Sequence, residues 1–447
     1  MDEIVSEQPN KRVLFVGLVW PEPNSTAAGQ NILSYIRLFL DRGYDVTFAC
    51  AADKSEHSAS LKSIGVNEKE IVLNDSSFDA FVSDLKPGIT VFDRFISEEQ
   101  FGWRVSAAAP QSMKVLDCED LHFLRDARHQ AYKHAKTNLS DKKTHSHKTN
   151  AEAFMYSDLC KRELASIMRC DLSILLSDYE CDLLCSVFTI PASIVHHCPF
   201  LLPNMTSKDS VKSSVKSFDE RTDFVSIGSF RHAPNWDAVL TLKQHIWPAI
   251  HKAFPKARCH IYGSYLTPKA KQLENKKEGF LVHGFAKDAM EVIGSARVLL
   301  APLNFGAGIK GKLVDAMQCR TPSVTTSIGS EGLLPDYLDK EHWPGAICDL
   351  NQSHDAFIES TIALYADSEA WSKASKKSDL LFSSVFNFEN QSQQLMTRLD
   401  DILSNLSQHR QRHFLGQVMQ HHTMSSTKYM SQWIEAKTRL HDALSND

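Results

Sequence analysis

The sequence predicts an α/β protein in which two doubly wound domains face each other across a cleft. One observation is length, because 447 residues are too many for one ordinary core and suit two domains of about 200 residues each. Another is the alternation of short, almost wholly apolar runs with helical patterns in both halves, which is typical of parallel sheets covered by helices on both faces. A third is a Ser- and Lys-rich stretch over residues 204–221, which lacks apolar periodicity and predicts a linker.

The individual elements follow from the same patterns. In the first half, strands are predicted over residues 13–18, 45–50, 90–92, 114–117, 172–176 and 193–196, and a helix over 30–42. In the second half, strands are predicted over 224–228, 259–263, 280–284 and 298–301, and the clearest helix over 236–253. The chain from about residue 389 has helical patterns without strand signals. The predicted organisation is a first domain over 1–203, a linker over 204–221, a second domain over 222–388 and a C-terminal helical extension over 389–447.

Composition narrows the classes of protein to consider. Hydrophobic residues make up 43% and charged residues 23%, which is typical of a globular protein, and a net charge of −5 gives no general attraction to nucleic acid. The ten cysteines form no CxxC pair, which favours reduced core thiols over disulfides. The polar, acidic start is unlike a signal peptide, and apolar runs such as 13–19 are too short to span a bilayer. A cytoplasmic protein is expected, and peripheral membrane contact stays open.

The segment 301–317 is the most informative part of the chain. It combines a buried strand, a glycine loop and a helix that opens with Lys310 and Lys312, although cations at a helix N-terminus oppose its dipole by up to about 1 kcal/mol. Glycine amides, a helix end and two ammonium groups together predict an anion site. Lys312 and Asp315 share one helix face, so a phosphate would meet the lysine while the aspartate accepts hydrogen bonds from ribose hydroxyls. The alternatives are two solvated lysines and a salt bridge between Lys312 and Asp315.

Short motifs surround this segment in a fixed order. They lie at residues 227–230, 234–239, 247–248, 262–263, 283–285, 301–303, 321–324 and 328–333, and less specific matches occur at 23–29 and 116–125. In this order and spacing, residues 223–333 resemble the glycosyltransferases of family 4 (group 1), which have the GT-B fold of two Rossmann-like domains. The resemblance implies transfer of a sugar, with retention and without a metal or a separate cofactor, from a UDP- or GDP-linked donor to a glycan or lipid-linked acceptor in polysaccharide biosynthesis.

The resemblance also implies a role for each residue of the segment. Lys312 would hold the donor diphosphate, helped by Lys310 and by the loop at Gly308 and Ile309. Asp315 stands where relatives carry the second glutamate of a Glu-x7-Glu motif, and it can accept the same ribose hydrogen bonds. Ala307 stands where the first glutamate would be, so one contact to the transferred sugar is missing and the identity of that sugar stays open.

Other candidates come from the loops that match the family. His122 would orient an acceptor hydroxyl or contact the transferred sugar, and Asp117 and Arg125 lie in the same loop; the alternative is that these last two pair with each other. Four further residues would contact the donor through the backbone or side chain, with turns, helix starts and caps as the alternatives: Gly29, Gly228, Arg231 and Glu331. For the basic, His-containing run over 128–148, a solvated helix and mobile loop is favoured over a metal or polyanion site.

The predicted function is therefore a retaining glycosyltransferase that binds the donor in its second domain and the acceptor in its first. Closure of the domains would exclude water and limit donor hydrolysis. A GT-B-type epimerase and a non-catalytic nucleotide-sugar-binding protein would share the donor site. An NAD-dependent enzyme is disfavoured, because no GxGxxG motif follows the first strand of either half.

Overall fold

Two parallel β-sheets form the centre of the molecule in the computed structural model, which describes residues 10–138, 151–203, 216–350 and 353–445. The first sheet contains β1 (Arg12–Gly17), β2 (Asp45–Cys50), β3 (Asn67–Glu70), β4 (Ile89–Asp93), β5 (Met113–Glu119), β6 (Leu172–Leu175) and β7 (Val195–His197). Its spatial order is β3-β2-β1-β4-β5-β6-β7, with every pair parallel. The helices of this half are α1 (Ala27–Asp41), α2 (Ser77–Leu85), α3 (Arg94–Ala108), α4 (His122–Asn138), α5 (Glu152–Met155), α6 (Asp158–Arg169) and α7 (Asp178–Ser186).

The second sheet repeats this plan. It contains β8 (Thr222–Ile227), β9 (Cys259–Tyr262), β10 (Phe280–Gly284), β11 (Ala296–Ala301), β12 (Ser323–Thr325) and β13 (Gly345–Ile347), in the order β10-β9-β8-β11-β12-β13. Its helices are α8 (Ala233–Thr241), α9 (Trp247–Ala253), α10 (Pro268–Lys271), α11 (Ala289–Ser295), α12 (Gly311–Gln318), α13 (Ser327–Ser330), α14 (Asp355–Ala366) and α15 (Ser368–Val385). A π-helical turn over Leu242–Ile246 joins α8 to α9, so the predicted helix 236–253 is one continuous element.

The predicted α/β class with two parallel sheets is confirmed. Strand order reverses between β1 and β4 in the first sheet and between β8 and β11 in the second. Ligands of such sheets bind in the crevice outside the carboxyl ends of the strands at these reversals. Loops from these ends of the two sheets touch each other, since a Cβ added at Gly311 would lie 2.7 Å from the Cβ of Ala27. Both crevices therefore open toward the boundary between the domains.

The predicted C-terminal helical extension is present as α16 (Phe388–Ser404), α17 (Leu406–Arg412) and α18 (Phe414–Ser445). The chain returns through α16 to the first half, where the apolar side chains of Leu395, Leu399 and Ile402 join the core that contains Val13 and Phe39. The domain boundaries themselves stay a prediction, and residues 204–215 of the predicted linker lie outside the described residues.

Two further observations concern the whole chain. All ten cysteines belong to the described residues and are free thiols, six of them buried, so the alternative of disulfides is not adopted in this structure. Within the ranges that the structure describes, no helix combines the length and the apolar character that a membrane crossing requires.

Candidate functional site

The glycine loop after β11 is held by the first domain. Gly308 has a left-handed backbone with φ of +62°, and a Cβ added there would lie 2.6 Å from the Cβ of Asp120. Its N–H donates a hydrogen bond to Oε1 of the buried Glu180, at 3.0 Å. Glycine is therefore required by the close approach of another domain. The amide predicted to meet a phosphate donates to Glu180 in this structure, and its contact with a donor phosphate stays a prediction.

Lys310 and Ile309 also have structural partners. Lys310 is 9% exposed, and its Nζ donates to the carbonyl of Gly308 at 2.6 Å, so the ammonium group braces the loop. Burial lowers the pKa of this lysine. The side chain of Ile309 is buried in an apolar cluster with Leu176 and Phe200. Neither side chain is available to a ligand in this arrangement, contrary to the expectation for this pair.

Lys312 and Asp315 have the opposite character, because they are half-buried and lack counter-ions. The Lys312 Nζ donates to Oδ1 of Asn235 at 2.7 Å, and burial lowers its pKa to about 8. Asp315 accepts no hydrogen bond from a described residue, and burial raises its pKa to about 7. Lys312 and Asp315 do not form the salt bridge with each other that was the alternative interpretation of the pair. An ammonium and a carboxyl group thus lie on one face of α12, each available to a ligand.

Asn235 connects Lys312 to the end of β8. Its Nδ2 donates to the carbonyl of Ser229 at 3.2 Å. Gly228 has φ of +153°, and a Cβ there would lie 2.6 Å from Asn235 Nδ2. The glycine therefore leaves room for the Asn235 side chain. This agrees with the alternative to a donor contact, in which the turn after β8 requires glycine at this position. Asn235 is a site residue that sequence reasoning missed, and the signal that would have found it is its place in the 234–239 motif.

Arg231 lies beside this loop and faces an aromatic ring. Its Cζ is 3.7 Å from the centroid of the Tyr265 ring, within the range of a cation–π contact. The Tyr265 hydroxyl donates to both oxygens of Glu22 in the first domain, at 2.9 and 2.8 Å. Arg231 is exposed, and its guanidinium remains accessible to a phosphate or an acceptor.

The start of α4 brings first-domain candidates toward the same site. The backbone N–H groups of His122 and Phe123 donate to Glu163 at 3.0 and 2.9 Å, which caps the helix. Burial, with Arg125 adding to it, lowers the pKa of His122 to about 4, so its imidazole is neutral at pH 7. Arg125 pairs with Asp120. His232 of the second domain interacts electrostatically with Arg125, Asp120 and Lys312, so the structure brings the two predicted halves of the site together.

Asp117 is placed differently from the other candidates. It is fully buried in β5, neither carboxyl oxygen has a hydrogen-bond partner, and burial together with Glu119 and Asp93 raises its pKa well above its ordinary value. A group in this position does not reach the space between the domains, so the catalytic role predicted for Asp117 lacks structural support. The alternative of an Asp117–Arg125 pair is wrong, because Arg125 pairs with Asp120.

Two residues at the ends of neighbouring strands carry backbone strain that the sequence did not reveal. Arg94, directly after β4, has φ of +68°, and Glu119, the last residue of β5, has φ of +60°. Left-handed conformations of residues other than glycine cost about 1–3 kcal/mol and cluster at functional sites. Burial raises the pKa of Glu119 to about 8.

Glu331 forms an ion pair with Arg128 of the first domain. Its two carboxylate oxygens accept hydrogen bonds from Arg128 at 2.7 and 2.6 Å, and Arg128 also donates to the carbonyl of Gly306 at 2.8 Å. The side chains are 11% and 14% exposed. Both carboxylate oxygens of Glu331 thus already have donors, which leaves its predicted donor contact without support.

The basic run that includes Arg128 is therefore not simply a solvated helix. The ring of His129 stacks on Phe305 with centroids 4.3 Å apart, so the start of this run packs against the second domain. That corrects the expectation for the helical part, because interdomain contacts were invisible in local sequence. Residues 139–150 of the run lie outside the described residues.

Gly29 lies at the start of α1, which agrees with the alternative interpretation of this residue as a helix-start glycine. Its N–H donates to Oγ1 of the cap residue Thr26 at 3.0 Å, and a Cβ there would lie 2.5 Å from the carbonyl of Glu22. The position thus needs a glycine because the chain approaches itself closely here, and a contact of Gly29 with the donor stays a prediction. In the described ranges, no three His, Cys, Asp or Glu side chains are grouped so as to hold a metal ion.

Residues 221–367 match the model of a family described as glycosyl transferases group 1. This match covers the donor-site motifs and confirms the resemblance for that part of the chain. A search of curated proteins found no match.

Solved structures similar to the whole chain extend the comparison to the first domain. HepE of Anabaena, in complex with UDP and glucose, has a TM-score of 0.60 at 12% identity, covering 87% of this chain and 99% of that one. A glycosyltransferase from Rickettsia africae has a TM-score of 0.62 at 10% identity, covering 88% and 99%. Sucrose-phosphate synthase from Thermosynechococcus elongatus has a TM-score of 0.58 at 15% identity, covering 88% and 100%. The chain therefore has the GT-B fold, as predicted.

Ala307 stands in the glycine loop, at the position where the first motif glutamate would be. The methyl group there packs against an apolar cluster of the first domain. The position thus contributes an apolar contact between the two domains.

Proposed function

We propose that this protein is a glycosyltransferase that transfers a sugar from a nucleotide-diphosphate-sugar to an acceptor. The observation that carries the proposal is the pair of unneutralised groups on α12, Lys312 and Asp315, in a domain of the group 1 family. A diphosphate would neutralise the ammonium group, and ribose hydroxyls would donate to the carboxylate. The amides of Gly311 and Lys312 in the first turn of α12 donate to no described residue and would add N–H donors to the same phosphate, whereas the Leu313 amide donates to the carbonyl of Lys310 at 2.8 Å.

The chemistry follows from where charge develops. Cleavage of the sugar–phosphate bond leaves negative charge on the diphosphate, and Lys312 with the end of α12 would stabilise that charge more in the transition state than in the ground state. His122 is neutral at pH 7 and would exchange hydrogen bonds with a hydroxyl of the acceptor or of the transferred sugar. Arg94 and Glu119 would border the acceptor in the first domain.

Several finer points of the proposal rest on the family resemblance. They are membership of family 4, transfer of a hexose, retention of configuration, independence of a metal, and a glycan or lipid-linked acceptor in polysaccharide biosynthesis. The Anabaena structure contains UDP and glucose, so UDP-linked hexoses are the first donors to test and GDP-linked sugars the second. Ten free thiols suit a reducing compartment, which supports a cytoplasmic location.

Nucleotide binding tests the donor site directly. UDP and GDP would be titrated calorimetrically into the wild type, Lys312→Ala and the control Lys252→Ala, an exposed lysine of α9 in the same domain. One nucleotide class should bind the wild type, and its affinity should fall about 10- to 100-fold in Lys312→Ala because a charge-assisted hydrogen bond is lost. The Lys252→Ala affinity should be unchanged. If neither nucleotide binds, or if Lys312→Ala binds like the wild type, the proposed donor site is wrong.

Turnover then separates the three proteins that share this site. Release of free nucleotide that depends on an added acceptor supports a transferase. Conversion of the nucleotide-sugar without an acceptor would assign an epimerase, and tight binding without turnover across acceptors would assign a non-catalytic binding protein.

A further inference from the structure

The long C-terminal helix α18 contacts the first domain through its polar face. The Gln420 side chain donates to the carbonyl of Arg169 at 2.8 Å, and Ser431 is 2% exposed and accepts from Arg104 at 2.9 Å. Glu435 accepts from the Ser76 hydroxyl at 2.7 Å. At 3.6 residues per turn these three residues lie on one side of the helix. The helix is thus held by side-chain hydrogen bonds and a buried serine.

The opposite face of α18 is apolar and exposed. Its large side chains lie between 37% and 70% exposed and form one stripe at helical spacing: Leu415, Val418, Tyr429, Trp433, Leu440 and Leu444. The stripe is about 44 Å long at 1.5 Å per residue. A surface helix normally buries its apolar face and exposes its polar one, and α18 does the reverse. The stripe has a first part at Leu415 and Val418 and a longer part from Tyr429 to Leu444, and large exposed apolar side chains that recur on one face in this way mark an interaction site.

Charge and residue type indicate what covers this stripe. The two acidic residues of α18, Glu435 and Asp442, lie together on the docked side of the helical projection, whereas Lys437 borders the stripe with its Nζ 5.2 Å from the Trp433 ring. The helix α18 itself contains three Lys and Arg against these two acidic residues, in a chain whose net charge is −5. Tryptophan and tyrosine prefer the boundary between lipid and water, where lysine extends to the head groups.

We propose that the stripe of α18 binds the surface of a bilayer that contains anionic lipids, with the helix lying parallel to that surface. Apolar side chains would enter the head-group region while Lys437 meets lipid phosphates. A second copy of the chain fits less well, because it would leave Lys437 without an acidic partner, since neither acidic residue of α18 lies on the exposed face. The proposal is independent of the donor site, which lies in the other domain.

Vesicle co-sedimentation tests this inference on the full chain. Vesicles of phosphatidylcholine mixed with phosphatidylglycerol would be compared with phosphatidylcholine alone. The wild type should sediment with the mixed vesicles and less with the neutral ones. The variant Trp433→Ser/Leu440→Ser should lose about tenfold in affinity for each apolar side chain removed. The matched control Tyr337→Ser/Leu380→Ser removes two second-domain side chains that are each 75% exposed, and it should bind like the wild type.

Two results would overturn the proposal. One is a wild type that sediments with neither type of vesicle; the other is a stripe variant that binds as well as the control. Sedimentation velocity without lipid identifies the alternative occupant, since a dimer that the stripe substitutions convert to monomers would assign the stripe to a second copy. UDP affinity measured on the same samples should not change, which separates failure here from failure of the donor site.

Discussion

At the scale of single residues, Lys312 and Asp315 both have pKa values close to neutral pH. Burial lowers the lysine pKa to about 8 and raises the aspartate pKa to about 7. A diphosphate requires the ammonium form, and an ionised carboxylate is the stronger acceptor for ribose hydroxyls. The free protein therefore has both groups in their binding forms in a narrow interval between these two values.

Nucleotide affinity should fall as the pH rises through the pKa of Lys312. The lowered pKa means that the free protein loses this proton near pH 8, and a ligand that binds only the ammonium form loses about tenfold in affinity for each pH unit above that value. Calorimetric titration of UDP from about pH 7.5 to about pH 9 measures the decline.

The variant Lys312→Arg is the control for this pH dependence. A guanidinium stays charged throughout the range, so its affinity for UDP should be lower than in the wild type and nearly constant with pH. An affinity of the wild type that does not change with pH, or an equal decline in Lys312→Arg, would assign the titration to another group.

The limits of prediction at this scale follow from sequence distance. Lys312 and Asp315 were identifiable because their neighbours along the chain define the loop and the helix. Glu180 and Arg128 were not, because their partners Gly308 and Glu331 are more than a hundred positions away. Local sequence records which groups are charged, but not which charges another domain neutralises.

At the scale of elements, a strand could be predicted from the sequence only where its residues form a run of apolar side chains. The predicted strand 45–50 coincides with β2, because its apolar run is almost continuous and buried. The edge strand β3 has the sequence Asn-Glu-Lys-Glu and gives no apolar signal, while β12 and β13 are three residues each. These strands exist because a neighbouring strand offers hydrogen bonds, which is tertiary information.

Arg410 of α17 provides the main polar attachment of α17 to the first domain. Its guanidinium donates to both oxygens of the buried Asp171 at 2.8 Å, and to the carbonyls of Pro110 and Ser112 at 2.6 and 2.7 Å. Arg410→Ala should lower the free energy of unfolding of the first domain by about 2–4 kcal/mol, because Asp171 is left without its counter-ion. Chemical denaturation followed by circular dichroism measures this change.

Arg412 provides the comparison for Arg410 on the same helix. It is exposed and donates no hydrogen bond to a described residue, so Arg412→Ala should change stability by less than about 0.5 kcal/mol. Equal effects of the two substitutions would contradict the assignment of the attachment to Arg410.

At the scale of the molecule, three polar contacts hold the domains together at the proposed site. They are the bidentate pair of Arg128 with Glu331, the hydrogen bond from Gly308 to Glu180, and the hydrogen bonds from Tyr265 to Glu22. All involve loops at the carboxyl ends of the two sheets. These contacts engage the glycine loop that leads into α12, so opening of the domains would control access to that helix.

Arg128 is the contact whose removal should open the molecule most. Arg128→Ala leaves Glu331 and the carbonyl of Gly306 without a donor in a largely buried place, which should shift the balance toward the open form by about 2 kcal/mol, or about thirtyfold. Small-angle X-ray scattering should then give a larger radius of gyration without ligand. Arg162→Ala breaks a bidentate pair with Glu99 inside the first domain and should leave the radius unchanged. A radius that responds equally to both substitutions would show that Arg128 does not govern closure.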